Sequence, residues 1–210
     1  MIRRMKKARR ALTVLELLLA LMVTGLVGLG IASMLTMVSS SASADQDRRS
    51  VILRSHAAQV RLRSYVVPAL CILQHDPNEG IAIWLHDERP RDNVNLTELR
   101  VIWWREAEQR LVVERVVFPD GWTDLMKEMA DHPLPAGTNY FNAMTAQRGL
   151  GHTHSETLID QLEGFEVIFN EASPSDATRI RFELTLRTDG GDTHESLLAM
   201  GMPNHRLPEH

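Results

Sequence analysis

The chain has 210 residues, one cysteine and a formal charge of −4. Six basic residues lie among the first eleven, so residues 12–210 carry −10, and an acidic chain of this kind argues against nucleic acid as the main partner. Because Cys71 is the single cysteine, an intrachain disulfide is excluded and a packed core must hold the fold.

An apolar segment at residues 12–38 is the first predicted element. Its last 22 residues, 17–38, carry no charge. This uncharged stretch is longer than the roughly 20 residues that an α-helix needs to cross a bilayer. A cleaved secretory signal has a shorter apolar run of about 7–15 residues. The six preceding basic residues predict a cytoplasmic amino terminus and an extracytoplasmic remainder. We therefore predict a single-pass membrane anchor.

Glu16 is the one charged residue within this segment. An ionised carboxylate inside hydrocarbon is costly and usually has a partner, yet no Lys or Arg follows before Arg48. A cut after Ala11 would create an α-amino group on Leu12, four residues before the carboxylate. We predict that this amine, from the same chain or from a neighbouring subunit, pairs with Glu16.

Basic residues followed by ALTVLELLLAL resemble the class III signal of type IV pilins and of the pseudopilins of type II secretion systems. In that family a prepilin peptidase cuts after a small residue, usually Gly, and the fifth mature residue is Glu. The resemblance makes Ala11 the residue before the cut, Leu12 the methylated mature amino terminus and Glu16 the fifth residue. Ala11 departs from the usual Gly, and Leu12 from the usual Phe or Met. An ordinary signal anchor with a chance Glu is the alternative.

Helical spacing of apolar residues continues from Val51, and Pro68 predicts the end of one long helix. The predicted organisation is a basic leader at 1–11, a stem helix at 12–67 with its transmembrane part at 12–38, a head at 68–202 and a polar tail at 203–210.

Strand patterns dominate the head. They lie at 81–87, 98–104, 110–118, 164–170 and 178–188. The alternation of Ile180, Phe182, Leu184 and Leu186 with polar residues predicts a strand with one buried face, and a turn at 189–192 begins a closing hairpin. Stem and strands together predict an α+β fold with an antiparallel sheet. The resemblance implies the pilin-like lollipop, in which the stem helix packs on the head.

The regions between these strands carry further predictions. Residues 120–133 have the spacing of a short amphipathic helix, with Met126 and Met129 expected in the core. Residues 133–155 lack periodicity and predict a variable assembly loop. Trp84, Trp103 and Trp104 are expected in the core rather than on a docking surface. Cys71 lies in the apolar run PALCIL and is expected to be a buried small side chain.

Two groups of side chains are weak metal candidates. His152 and His154 form a His-x-His pair without further spaced ligands, so a solvated loop competes with a metal site. Asp189, Asp192 and Glu195 could bind Ca²⁺, as some pseudopilins do, but the spacing is not that of a known calcium loop. A hairpin turn with solvated acids is the competing interpretation, and we expect no cofactor.

The chain contains no nucleotide-binding, zinc-protease or serine-hydrolase motif, so we expect an assembly protein rather than an enzyme. The resemblance implies a pilus or pseudopilus subunit, and a β-rich head behind a long helix is similar to the minor pseudopilin J type, which caps or initiates the filament. The implied partners are the prepilin peptidase, other pseudopilins or pilins, and the bacterial inner membrane. A minor type IV pilin for adhesion or DNA uptake and a signal-anchored extracytoplasmic enzyme or binding domain are the alternatives.

Overall fold

The computed structural model describes residues 13–85, 93–135, 137–188 and 190–208, apart from the side chains of residues 43 and 44. The chain divides between Gln46 and Asp47 into two compact units. Helix α1, Val14–Val66, begins in the first unit and ends in the second, two residues before Pro68. The long apolar helix and the antiparallel sheets confirm the predicted α+β class.

The described part of the first unit consists of residues 13–46, that is, Thr13 and the amino-terminal part of α1. Every residue from Thr13 to Ala42 is exposed, and most of the large side chains in this stretch are apolar. The helix is long and apolar enough to cross a membrane. That finding confirms the prediction of one amino-terminal helix with the length and composition of a candidate membrane span.

The second unit contains a five-stranded antiparallel sheet whose strands lie in sequence order. They are β1 (Cys71–Asp76), β2 (Gly80–Trp84), β3 (Leu99–Arg105), β4 (Arg110–Val116) and β5 (Thr153–Ile159). The β1–β2 turn requires glycine at position 80. Gly80 has a φ of +120°, and a Cβ atom there would lie 2.0 Å from the carbonyl oxygen of Ile102.

A three-stranded antiparallel sheet follows along the chain. Its strands are β6 (Leu162–Phe169), β7 (Arg179–Arg187) and β8 (Thr193–Gly201). The four apolar residues that alternate along β7 are all buried, which confirms the predicted one-sided strand. The predicted closing hairpin is β7–β8, with Arg187 opposite Thr193.

Residues from α1 and from both sheets form one core, which we call the helix-side core. α1 contributes Val51, Ala58, Leu62 and Val66, each at most 2 % exposed. These residues recur at intervals of seven, four and four along the helix, so they share one face. The sheets contribute Ile81, Ile83, Ile102, Leu111, Phe182 and Leu184 among others.

A second core lies on the opposite face of the five-stranded sheet, where helix α3 (Tyr140–Gly149) contributes Tyr140, Phe141 and Met144. Burial on both faces explains why β2 is apolar at every position. The three tryptophans are buried: Trp84 and Trp103 belong to the second core and Trp104 to the helix-side core. That placement confirms the core prediction for them.

The prediction of a loop at 133–155 is wrong, because α3 and the start of β5 occupy this stretch. Asn139 begins α3 by accepting a hydrogen bond at 2.9 Å from the backbone N–H of Asn142. Only three residues of α3 are buried, and β5 is exposed from Ser155 to Thr157. The apolar periodicity is therefore too sparse to identify either element. β1 also went unpredicted, although Cys71 and Ile72 are fully buried.

The helix predicted at 120–133 is present as α2, Asp124–Ala130, but its predicted core residues are wrongly placed. Met126 and Met129 are exposed, and α2 has no buried residue. Thr123 caps the helix, and Trp122, just before it, stacks on Phe118 at 5.5 Å between ring centroids. Trp122 therefore anchors this segment, and the helix itself lies on the surface.

Buried carboxylates accept hydrogen bonds from the indole N–H groups of two buried tryptophans. The indole N–H of Trp84 donates to Glu98 at 3.1 Å, and that of Trp103 donates to Glu114 at 2.6 Å. Glu114 is 1 % exposed and also accepts two hydrogen bonds from Arg148, the one from Nε at 2.8 Å. This cluster ties α3 to β3 and β4, because its three residues come from those elements.

The pKa of Glu114 reflects opposing effects. Burial opposes ionisation, but hydrogen bonds from Arg148, Thr153 and Trp103 and the positive charge of Arg148 hold the pKa below its ordinary value of 4.5. A carboxyl with a lowered pKa stabilises the fold fully above the unfolded value, and this stabilisation is lost as the pH falls through the folded pKa.

We predict that Arg148→Met lowers the free energy of unfolding of the second unit by about 3 kcal/mol, because it leaves a buried carboxylate unpaired. Denaturation of the full chain in detergent, followed by tryptophan fluorescence, measures the change. The cost should shrink on acidification, because burial without the opposing charge of Arg148 raises the pKa of Glu114 in the variant, which therefore takes up its proton at a higher pH than the wild type. Arg110→Met, which removes an exposed arginine, is the control, and equal stability of the two variants would contradict the role of the buried pair.

Candidate membrane and assembly segment

Thr13 and Glu16 form a reciprocal cap at the start of α1. The backbone N–H and the hydroxyl of Thr13 both donate to Oε2 of Glu16, at 2.9 and 3.0 Å. The backbone N–H of Glu16 donates in return to the Thr13 hydroxyl at 3.3 Å. This arrangement is a capping box, which satisfies backbone donors that the first turn of a helix leaves unpaired.

The capping box leaves Oε1 of Glu16 unused by the described residues, since both Thr13 bonds end on Oε2. The sequence from Thr13 to Asp47 contains no Lys, Arg or His, so this stretch holds no cationic side chain for the carboxylate. The next cationic side chain on helix α1 is Arg48, 32 residues beyond Glu16, and a rise of about 1.5 Å per residue places it out of reach of the carboxylate. Ala11 and Leu12, the predicted cleavage residues, lie outside the described residues.

Hydroxyl groups within the apolar segment bond to the helix itself. Thr24 donates to the carbonyl oxygen of Ala20 at 2.7 Å, Ser33 to that of Gly30 at 2.9 Å and Thr36 to that of Ser33 at 2.8 Å. An unsatisfied polar group in hydrocarbon costs several kcal/mol, so these bonds suit the segment to lipid. Ser40 and Ser41 also donate to the carbonyl oxygen of Met37.

The two histidines of the metal candidate have different neighbours. His152 packs edge-on against Trp122 and Phe118, with ring centroids 4.9 and 5.9 Å away. His154 lies opposite Arg115 on β4 and lines a small cavity with Tyr65. The two imidazole rings therefore contact different neighbours and do not converge on one metal position.

The acidic candidate is only partly described. Asp189 lies outside the described residues, whereas Asp192 and Glu195 are exposed, and the carbonyl oxygen of Asp192 accepts the backbone N–H of Thr188 at 2.7 Å. Among the described residues, no three His, Cys, Asp or Glu side chains are grouped to hold a metal ion.

Sequence reasoning identified Glu16 but missed Thr13 as its capping partner. The signal was available, because Thr-x-x-Glu before an apolar run is the capping-box pattern. It also missed the pairing of Glu114 with Arg148, since 34 residues separate them and no local pattern joins them.

Cys71 is fully buried in the second core. Burial raises the pKa of its thiol to about 12. Only the thiolate is a good nucleophile, so the side chain is protected both by packing and by protonation. It fills space in the core, as the sequence predicts.

We predict that Cys71 in the folded full chain reacts with N-ethylmaleimide at neutral pH at least about a hundredfold more slowly than an exposed thiol, because it is buried and protonated. Mass spectrometry of the labelled peptides in a Leu125→Cys variant compares the two thiols within one molecule. Denaturant should remove the difference, and rapid labelling of Cys71 without denaturant would contradict its burial.

The chain was also compared with known proteins. No protein-family model, no curated protein and no solved structure matches it.

Proposed function

We propose that this protein is a pilin-like subunit that a prepilin peptidase cuts after Ala11 and that assembles through its amino-terminal helix. The observation that carries the proposal is the position of Glu16. Its carboxylate lies in the first turn of an exposed apolar helix, four residues after the proposed new amino terminus and without a cationic side chain up to Asp47. Six basic residues precede the proposed cut.

Cleavage would change the electrostatics at the start of the helix. It removes the six basic side chains and leaves one positive charge, the α-amino group of Leu12. An ion pair is strongest where the dielectric constant is low, so an amine near the hydrocarbon is an effective partner for the carboxylate. Glu16 can cap its own helix through Oε2 and bind a neighbour's amine through Oε1.

This pairing would set the axial register between neighbouring subunits. An amine and a carboxylate four residues apart meet only when adjacent helices lie at one relative height. The exposed apolar side chains from Val14 to Val38 then supply the lateral contacts in membrane and filament. Gly25, Gly28 and Gly30 have no neighbouring atoms within 4 Å of the position that a Cβ atom would take, so they leave room for close contact between helices.

The finer assignment is a minor pseudopilin of a type II secretion system, of the J type, which caps or initiates the pseudopilus and so supports protein secretion. The eight strands that the described residues form after one long helix support this assignment. Under this assignment, the chain is anchored in the bacterial inner membrane, with its amino terminus in the cytoplasm and its head in the periplasm. Its partners are the prepilin peptidase and other pseudopilins, and its function is structural rather than enzymatic.

We predict a mature amino terminus at Leu12, with an added methyl group, when the chain is expressed in cells with an active prepilin peptidase. Intact-mass and amino-terminal peptide mass spectrometry of membrane fractions measures the start. Cells without the peptidase provide the control and should retain Met1 or a residue near it. A leader that persists in the presence of the active peptidase would contradict the proposal.

Two substitutions at Glu16 separate its charge from its capping role. Glu16→Gln keeps an oxygen that can complete the capping box but removes the charge, whereas Glu16→Leu removes both. We predict that each variant is cleaved normally and that each lowers co-purification with other pilin-like subunits at least about tenfold, because both lose the ion pair.

Thr13→Ala is the matched control, because it removes the two hydroxyl bonds of the capping box and retains the charge of Glu16. It should co-purify nearly as well as the wild type. If Glu16→Gln behaves as the wild type and Thr13→Ala is defective, Glu16 acts as a cap alone and the register role is rejected.

A further inference from the structure

The outer edge of β8 differs from the other sheet edges that the structure describes. β1, β5 and β6 are also edge strands, and in each of them one extra residue interrupts the pairing with the neighbouring strand: Leu73, Leu158 and Glu163. Such bulges protect an edge from pairing with another chain, because they break its regular row of backbone donors and acceptors. β8 pairs with β7 over nine consecutive residues and has no bulge.

The edge of β5 is also covered by a side chain of α1. The guanidinium of Arg61 donates to the carbonyl oxygens of Thr157 and Leu158, at 3.2 and 2.9 Å. In the described part of the chain, no such bond reaches the backbone of β8 from outside its sheet. The contact that joins β8 to α1 is between the side-chain oxygens of Ser55 and Ser196, at 2.7 Å. The backbone of β8 is therefore left free along its outer edge by the described residues.

The side chains of β8 do not protect this edge either. The strand contains no proline, lysine or arginine, the residues that commonly blunt an edge. Leu198 and Met200 are buried in the helix-side core, which fixes the register of the strand. The alternate residues on its other face are all exposed: Thr193, Glu195, Leu197, Ala199 and Gly201. At an antiparallel edge, every second residue points both its N–H and its C=O toward the free side, so β8 presents a regular template for another strand.

We propose that β8 binds an extended strand of a second, different pilin-like subunit along this free edge. Main-chain hydrogen bonds would join the two backbones, and the side chains of β8 select the strand that fits. An apolar side chain opposite Leu197 would cover a leucine that is 66 % exposed. A lysine or arginine opposite Glu195 would form a favourable cross-strand pair. The partner strand therefore carries a basic and an apolar residue two positions apart.

A second copy of this chain fits the edge less well than a different subunit. Because β8 contains no Lys or Arg, the β8 strand of a copy has neither residue to place opposite Glu195. The other edge strands of a copy are interrupted by their bulges. This inference rests on the proposed function, which makes different pilin-like subunits the neighbours of this chain. It names the surface through which one of them binds the head.

Amide hydrogen exchange tests the backbone pairing directly. The full chain is measured in detergent alone and in complex with the pilin-like subunit that co-purifies with it through Glu16, and fragmentation resolves single amides. In the free chain, alternate amides of β8 should exchange rapidly because they face solvent. In the complex, the same amides should exchange at least about tenfold more slowly. Amides of α2 are the internal control and should exchange equally in both samples.

The partner subunit is followed in the same measurement. It should gain protection in one extended segment that carries a basic and an apolar residue two positions apart, as the side chains of β8 require. A segment with this pattern that gains protection only in the complex identifies the added strand.

Two substitutions on β8 test the side-chain fit. Leu197→Lys places a charge against the apolar residue of the partner, and Glu195→Lys places like charges opposite each other. Each should abolish the protection that β8 gains in the complex. Leu125→Lys on α2 is the matched control, because Leu125 and Leu197 are each 66 % exposed, and it should retain that protection. Denaturation followed by tryptophan fluorescence should show that all three variants remain folded.

Three results would overturn the proposal: slow exchange of every β8 amide in the free chain, no gain of protection in the complex, or a gain that survives both β8 substitutions. Protection of β8 that rises with the concentration of this chain alone would overturn it as well, because copies would then pair with each other. If cleavage and Glu16-dependent co-purification are normal in these cases, the edge contact fails and the proposed function stands. Loss of both in the unaltered chain would reject the proposed function and this inference with it.

Discussion

Burial of one face of α1 is the interaction on which the fold of the second unit depends. Val51, Leu62 and Val66 each contribute about 1.5–3 kcal/mol when they leave water. Ala58 adds little area, but its small side chain allows close approach of the helix backbone. Because both sheets contribute to the same core, they share one source of stability. The three-stranded sheet can therefore leave its other face in solvent, where Arg181 and Glu195 lie.

Glu16 imposes a second constraint, which acts at the other end of the same helix. Its carboxylate completes a capping box with Thr13, so it has a structural role that requires no partner chain. A neutral glutamine could also complete the capping box, without the cost of an ionised group near hydrocarbon. The capping role alone therefore does not explain the charge. The proposed ion pair with a mature amino terminus would offset the cost of keeping Glu16 ionised near hydrocarbon. Cap and ion pair are compatible because they use different oxygens.

Sequence patterns identified the elements whose apolar residues repeat strongly. The long apolar helix and strands β3, β4 and β7 were predicted closely, because long apolar runs and strict alternation are compatible with few structures. Helix α3 and strand β5 were missed because their buried residues are few. The exposure of Met129 was missed because a helix pattern does not reveal which neighbour, if any, covers its apolar face. Pairings between strands, such as that of Arg100 with Arg115, depend on register and could not be predicted from the sequence.

The most direct measurement of the central claim is a zero-length crosslink between Glu16 and an amino terminus. The chain, labelled with light isotopes, would be co-assembled with pilin-like subunits labelled with heavy isotopes and treated with a membrane-permeant carbodiimide, which joins a carboxylate to an adjacent amine. Our account predicts a peptide in which Glu16 of this chain is linked to the amino terminus of a neighbouring subunit, with mixed labels, and its absence in Glu16→Gln. A retained leader, or a Glu16 carboxylate linked to no neighbouring amine in assembled material, would contradict it.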